Sequence, residues 1–261
     1  MKLSPEDFAD LRVAKRLLEY PSLAAKLSHK LGTPIERGLE LLPENWSQLV
    51  QAATRKAIER ALQVAVTTLE RSRPTRHGDL AHKLAVAASG ATGGAFGWLG
   101  LAVELPISTV IMLRSIAEIA RSEGEDLRSA ETRMNCLQIF AIGGPTAKDN
   151  AAETGYYAVR AALSKAISDA ARHIASRGLV EDGAPVLVRL ITMIASRFGV
   201  VVTEKAAAMA IPTIGAIGGA VVNTIFIEHF QNIARGHFTV RRLERKYGAS
   251  LIEKEYQKIV T

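Results

Sequence analysis

Residues 84–113 read LAVAASGATGGAFGWLGLAVELPISTVIML. Twenty of them, Leu84 to Val103, pass without a charge, and five of those are glycine: Gly90, Gly93, Gly94, Gly97 and Gly100. Glu104 then interrupts, followed by Leu105-Pro106 and a second uncharged run to Leu113. A glycine costs roughly 1 kcal/mol against alanine in a helix interior, so five together need a packing or turning reason. Gly90-x-x-x-Gly94 and Gly93-x-x-x-Gly97 carry the spacing of closely approaching helices. Gly97-Trp98-Leu99-Gly100 equally suits a hairpin turn between two apolar helices. Pro106 fits the first position of a new helix, which predicts a break between Gly93 and Leu105 and a helix over Ile107–Ser122. A second uncharged stretch, Ala206–Ile227, runs for 22 residues and holds Gly215-x-x-x-Gly219. The two pieces, packed on each other, predict an all-α helical bundle with two central glycine-rich apolar helical elements.

Outward from these stretches the chain reads as helix throughout. Ser4-Pro5-Glu6-Asp7 is a helix start, and that helix reaches about Glu19, before Pro21. A short helix follows from Ser22 to Gly32. Asn45 opens a longer one, Trp46 to about Arg71, and another starts near Asp79 and enters the first apolar stretch. Asp126–Phe140 is the next, stopped by Gly143-Gly144-Pro145. Asn150-x-x-Glu153 has the form of a capping box for a helix over Ala151–Ser176. Pro185 opens Val186–Phe198, Gly199 interrupts, and a helix from Val200 leads to Ile211-Pro212. A final helix runs from about Gly219 toward Tyr247. Residues 1–45 form an N-terminal helical extension, and 46–261 the helical domain proper.

At 261 residues the chain can bury one sizeable core, and with 48% apolar but only 5% aromatic residues that core is mostly Ala, Leu, Ile and Val. Thirty-three Lys and Arg against 26 Asp and Glu give a charge of +7, which draws the chain toward polyanions such as nucleic acid or anionic lipid. The single cysteine, Cys136, excludes an intramolecular disulfide. An N-terminus that is amphipathic rather than continuously apolar is no secretory signal. The expected location is cytoplasmic or peripheral to the inner face of the membrane, and length alone leaves open whether the two apolar stretches span, dip into or avoid the bilayer.

Three segments taken in order resemble a known family: GATGGAFGWLGLAVELPISTVIMLRSIAEIARSEGEDL, then CLQIFAIGGPTAKDNAAETGYYAVRAAL, then IPTIGAIGGAVVNTIFIEHFQNIARGHFTVRRLERKYG. Together they are similar to the EcsC family, named for the third gene product of a bacterial ABC-transporter operon. The resemblance covers roughly residues 75–250. It implies a helical, apolar-rich bacterial protein of unestablished molecular role. Its features map onto Gly93, Gly94, Gly97, Glu104, Pro106, Arg114, Gly143, Gly144, Tyr157, Arg160, Gly215, Gly219, Asn223, Phe238 and Leu243. No catalytic assignment comes with it.

Candidates for chemistry are few. The six histidines do not cluster, with His77 and His82 five apart and His229 and His237 eight apart. Neither pair has the spacing of a zinc helix, so neither a metal nor a cofactor is expected. No G-x-S-x-G, phosphate-loop or dinucleotide fingerprint is present, and a non-enzyme is favoured. Glu104 lies between apolar runs, either as a functional acid or as the acidic residue of a helix start. Glu104, Arg114 and Asn223 are the candidate ligand-binding residues. Tyr156-Tyr157 with Arg160 reads as a polar site or as a packed helix face. Arg235, Arg241, Arg242, Arg245 and Lys246 follow directly on an apolar segment, the sequence form of attraction to anionic lipid. Specific nucleic-acid binding would need interleaved aromatics, and only Phe238 and Tyr247 offer them. The expected function is that of a non-enzymatic, membrane-associated accessory protein linked to transport or the envelope, with an anionic membrane surface or membrane protein as partner. The alternative is a soluble helical protein with a small-molecule or lipid pocket.

Overall fold

Ser4 accepts the Asp7 backbone N–H at 3.1 Å and starts α1 (Pro5–Glu19) as its sequence predicts. In a computed structural model of the chain, residues 3–19, 22–32, 34–69, 100–144, 155–178, 184–211 and 215–260 are described. Among them are ten α-helices and no strand. After α1 come α2 (Leu23–Leu31), α3 (Glu36–Glu40), α4 (Trp46–Thr67), α5 (Leu101–Ser122), α6 (Ala130–Ile142), α7 (Tyr156–Arg177), α8 (Pro185–Ala210), α9 (Gly215–Tyr247) and α10 (Ala249–Lys258). The protein is an all-α helical bundle. Gly90, Gly93, Gly94 and Gly97 lie outside the described residues, as does the Asn150–Glu153 capping box.

Several boundaries differ from the sequence expectation, each for a local reason. The helix predicted to open at Pro106 begins five residues earlier, at Leu101, with Pro106 inside it. A proline there removes only the bond to the Ala102 carbonyl, close to an end where carbonyl and N–H groups are already short of partners. Gly199 does not interrupt its helix, for α8 is continuous from Pro185 to Ala210. The helix expected from Ala151 starts at Tyr156, because Gly155 is extended at ψ 169°. The short helices α3 and α10 are additional to the sequence expectation. Ile211 leaves the helical region at ψ 116°, as a residue before proline tends to do. The second apolar stretch is thereby shared between the end of α8 and the start of α9.

The centre is α6, where ten consecutive residues, Thr132 to Ala141, are buried. A helix wrapped on all sides has no solvent face, which explains its lack of an apolar stripe. Around it pack α4, α5, α7, α8 and α9. Phe140 meets Phe198 and Phe230 at ring-centroid distances of 5.0 and 5.4 Å, and Phe226 joins Phe230 at 5.3 Å. A smaller apolar cluster closes the far end of α9 with Leu11, Val240, Leu243, Ile252 and Tyr256. The front of the chain is thus packed onto the bundle, α1 against α9 and α2 and α3 against α8.

Gly236 lets α1 approach α9. A Cβ there would stand 2.7 Å from Leu18 Cγ and 2.9 Å from the Ala14 carbonyl oxygen, whereas one at Gly199 would have only Thr54 Cγ2 at 4.0 Å. Gly236→Ala is therefore expected to destabilise the fold by roughly 1–3 kcal/mol through overpacking. Gly199→Ala is expected to stabilise it by up to about 1 kcal/mol through helix propensity. Urea denaturation of the two variants measures both signs.

Candidate functional site

Glu104 sits in the first turn of α5, where the helix dipole favours a carboxylate. It is only 4% exposed, and burying an unpartnered charge there would be prohibitive. The partner is Lys205 of α8, whose Nζ lies 2.7 Å from Glu104 Oε2 and which is itself fully buried. Asn223 of α9 donates from Nδ2 to Glu104 Oε1 at 3.4 Å. The Lys205 ammonium also stands 4.6 Å from the centre of the Phe226 ring, within cation–π range. Three helices therefore meet on one buried ion pair.

Of the sequence candidates, Glu104 and Asn223 come together and Arg114 does not. Arg114 is exposed, ten residues along α5 from Glu104, about 15 Å of helix. The residue that sequence reasoning missed is Lys205. Its signal was present in Thr203-Glu204-Lys205, a charged pair set directly against the uncharged run that begins at Ala206. Its neighbour Glu204 points toward α2, where Oε2 accepts the Ala24 N–H at 3.1 Å. Burial pushes the Glu204 carboxyl up to about 7.

From Glu104 a line of polar contacts follows the α5–α9 interface. Gln231 Nε2 donates to Ser115 Oγ at 2.7 Å, and Thr239 Oγ1 to Glu123 Oε1 at 3.3 Å. Residues 104, 115 and 123 meet 223, 231 and 239 in the same order, so the two helices run parallel. At the seam's end the basic stretch of α9 meets carboxylates. Arg241 Nε donates to Glu125 Oε1 at 2.8 Å, and Arg245 pairs with the same carboxylate. Arg242 reaches Glu123 and Asp10 at 2.7 Å each, and Lys246 reaches Asp7 at 2.7 Å. Lys246, Tyr247 and Ser4 all donate to Asp7 and hold its carboxyl well below the usual range. Arg235 donates to Asn232 at 2.9 Å one turn away.

Tyr156, Tyr157 and Arg160 form a second polar cluster near that end. Arg160 grips Glu244 with two hydrogen bonds, 2.8 and 3.0 Å, and donates to the Tyr156 hydroxyl at 3.1 Å. Tyr156 in turn hydrogen-bonds His237 Nδ1 at 2.9 Å. Burial, then the nearby Arg160 and Arg241 charges, hold that imidazole neutral. The Gly143-Gly144 motif is fixed from two sides: His229 Nε2 donates to the Gly143 carbonyl at 2.7 Å, and Arg197 Nη2 to that of Gly144 at 2.6 Å. Among the described residues no three His, Cys, Asp or Glu side chains converge as a metal ion would require. The Cys136 thiol is buried, and burial raises its pKa far from a reactive thiolate.

A family model described as the EcsC protein family matches residues 11–243. The match begins inside α1, well ahead of residue 75, where the motifs of the sequence resemblance begin. No curated protein matches, and no solved structure matches.

Two outcomes follow from the ion pair and its neighbour. Glu104→Gln and Lys205→Met each strand a buried charge and are expected to lower stability by about 3–5 kcal/mol in urea denaturation, while Glu104→Leu combined with Lys205→Met recovers most of that loss. Glu204 binds a proton more tightly folded than unfolded, so it costs the fold stability as pH rises from about 4.5 to about 7. Glu204→Gln should accordingly stabilise the protein at pH 8 and leave it nearly unchanged at pH 4.5, read from the same denaturation series.

Proposed function

The chain belongs to the EcsC protein family, and on that premise we propose that it is a non-enzymatic accessory protein that associates peripherally with a membrane surface. The observation that carries this reading is the apolar end of the bundle. Val103 and Ile107, one turn apart on α5, are 73% and 52% exposed, and Val221 on α9 is 40% exposed. The Glu104–Asn223 contact sets the starts of α5 and α9 side by side, so all three aliphatic side chains belong to one end. In sequence that end adjoins the uncharged runs Leu84–Val103 and Ala206–Ile227. A monomer in water gains nothing by exposing large aliphatics beside such runs, whereas an acyl layer receives them favourably. The net charge of +7 favours an anionic surface, the inner face of a bacterial membrane by preference. A role in transport or envelope upkeep is the corresponding biological proposal, and it rests on the family resemblance.

The proposed contact is peripheral rather than spanning. One helix among the described residues, Pro185–Ala210, is long and apolar enough to cross a membrane, with a mean hydropathy of 1.8. It packs against α3, α4, α6, α7 and α9, and it holds Lys205 in its buried pair. Crossing a bilayer would strip those contacts. The cations of Arg241, Arg242, Arg245 and Lys246 face carboxylates of the same chain, so the apolar end carries more of the proposed contact than the basic stretch does.

The full-length protein is expected to sediment with phosphatidylglycerol vesicles. Val103→Ser, Ile107→Ser and Val221→Ser combined should weaken that binding roughly 100-fold, taking about 1 kcal/mol for each partly buried side chain. All three positions are exposed, so the triple variant should fold normally by circular dichroism. A wild-type protein that stays in the supernatant at every vesicle composition, at low salt, refutes the membrane reading.

A further inference from the structure

A cavity of about 470 Å³ opens between α1, α7 and α10, within the size range of small-molecule sites. It is remote from the apolar end. His237, which anchors its wall through Tyr156, lies 16 residues along α9 from Val221, about 24 Å of helix. The two places on the molecule are therefore separate.

The walls have a definite chemistry. Tyr156, Tyr157 and Tyr256 form a mutual cluster with ring centroids 5.0, 5.2 and 5.7 Å apart, and all three face the cavity. Two carboxylates, Glu19 and Glu253, share the wall with one ammonium, Lys15. That ammonium is already committed, since Nζ donates to the carbonyls of Tyr256 and Ile259 at 3.1 and 2.9 Å and pairs with Glu19 Oε2 at 3.8 Å. Glu253 makes no ion pair among the described residues. The Tyr256 hydroxyl is buried beside the Glu19 carboxylate. Burial, and then the Glu19 carboxylate beside it, hold that phenol protonated. The tyrosines already attract the chain's own cations: Lys15 stands 5.0 Å from the Tyr256 ring centre, and Arg160 5.3 and 5.5 Å from those of Tyr156 and Tyr157. Each of these distances is inside cation–π range.

An acidic, aromatic cavity in a chain of charge +7 runs against the protein's overall field. We propose that it binds a small organic cation, an amine of polyamine type, held between the carboxylates of Glu19 and Glu253 and the tyrosine rings. An anion would meet two carboxylates and an ammonium already engaged. A neutral apolar ligand would leave the Glu253 carboxylate desolvated without compensation.

The test uses the full chain with its tyrosine rings labelled for nuclear magnetic resonance, titrated with spermidine, with tetramethylammonium and with inorganic phosphate. Spermidine is expected to shift the Tyr156, Tyr157 and Tyr256 ring signals saturably at millimolar concentration or below, with tetramethylammonium weaker and phosphate inert. Glu253→Gln and Glu19→Gln should each weaken spermidine binding about tenfold. Both positions are on the cavity rim, and circular dichroism confirms that the variants fold. Saturation by phosphate instead of spermidine, no saturable shift with either amine, or unchanged spermidine affinity in the two Gln variants would overturn the proposal.

Discussion

The pair Glu104–Lys205 is the constraint on which the rest of the bundle depends. An isolated charge in such a core costs several kcal/mol, so wherever Glu104 goes, Lys205 must follow to within hydrogen-bonding distance. That requirement ties the start of α5 to α8, and Asn223 ties α9 to the same point. A core built of Ala, Leu, Ile and Val with few aromatics offers many nearly equivalent ways of sliding one helix along another. Buried polar contacts are not degenerate in this way, because a shift of one turn leaves each unsatisfied. Glu104 to Asn223, Ser115 to Gln231 and Glu123 to Thr239 set the parallel register of α5 and α9 at three points along the interface. The ion pair need not add net stability to do this; it needs only to make the alternatives worse.

The opposite end of α9 is fixed by charge as well, in a place that stays half in water. Arg242 joins Asp10 of α1 to Glu123, just past the end of α5, while Lys246 and Tyr247 converge on Asp7. Exposed ion pairs taken singly are worth little. Here they form a network across three chain segments, and Gly236 permits the close backbone approach that brings α1 within reach. The result is that α1, the first helix of the chain, is held by the last third of it. Lys15 carries this further by donating to two carbonyls at the end of α10, closing one side of the tyrosine-lined cavity.

What was legible in the sequence was whatever depends on neighbours within a turn or two. Ser4 and Ser22 as helix starts, Pro185 as a first helical residue and the absence of alternating strands all rest on local physics, and they gave the all-α bundle. Pro106 and Gly199 misled because their local cost is small beside tertiary packing: one lost bond near a helix start, and about 1 kcal/mol in a 26-residue helix. The site was half legible. Glu104 and Asn223 stood out as polar residues inside apolar runs, but Lys205 looked like the flank of one, and its partner lies 101 residues earlier. Arg241, Arg242, Arg245 and Lys246 read as a free basic patch for the same reason. Asp7, Asp10, Glu123 and Glu125, which meet them, are more than a hundred residues away in sequence.

The same distinction governs how apolar segments of this chain are to be read against a membrane. Hydropathy records the cost of leaving a segment in water, and that cost is removed equally well by lipid or by other helices. Pro185–Ala210 has the composition of a span, yet its buried face meets α4, α6 and α7, and Lys205 in its last third already has its counter-charge inside the protein. Val103, Ile107 and Val221 pose the opposite case, large aliphatics 73%, 52% and 40% exposed, with Val103 next to a buried glutamate and Val221 two positions from a buried asparagine. Among the described residues, then, the most hydrophobic helix has its charge matched inside the bundle, while exposed aliphatics stand at the bundle's end close to the buried ion pair.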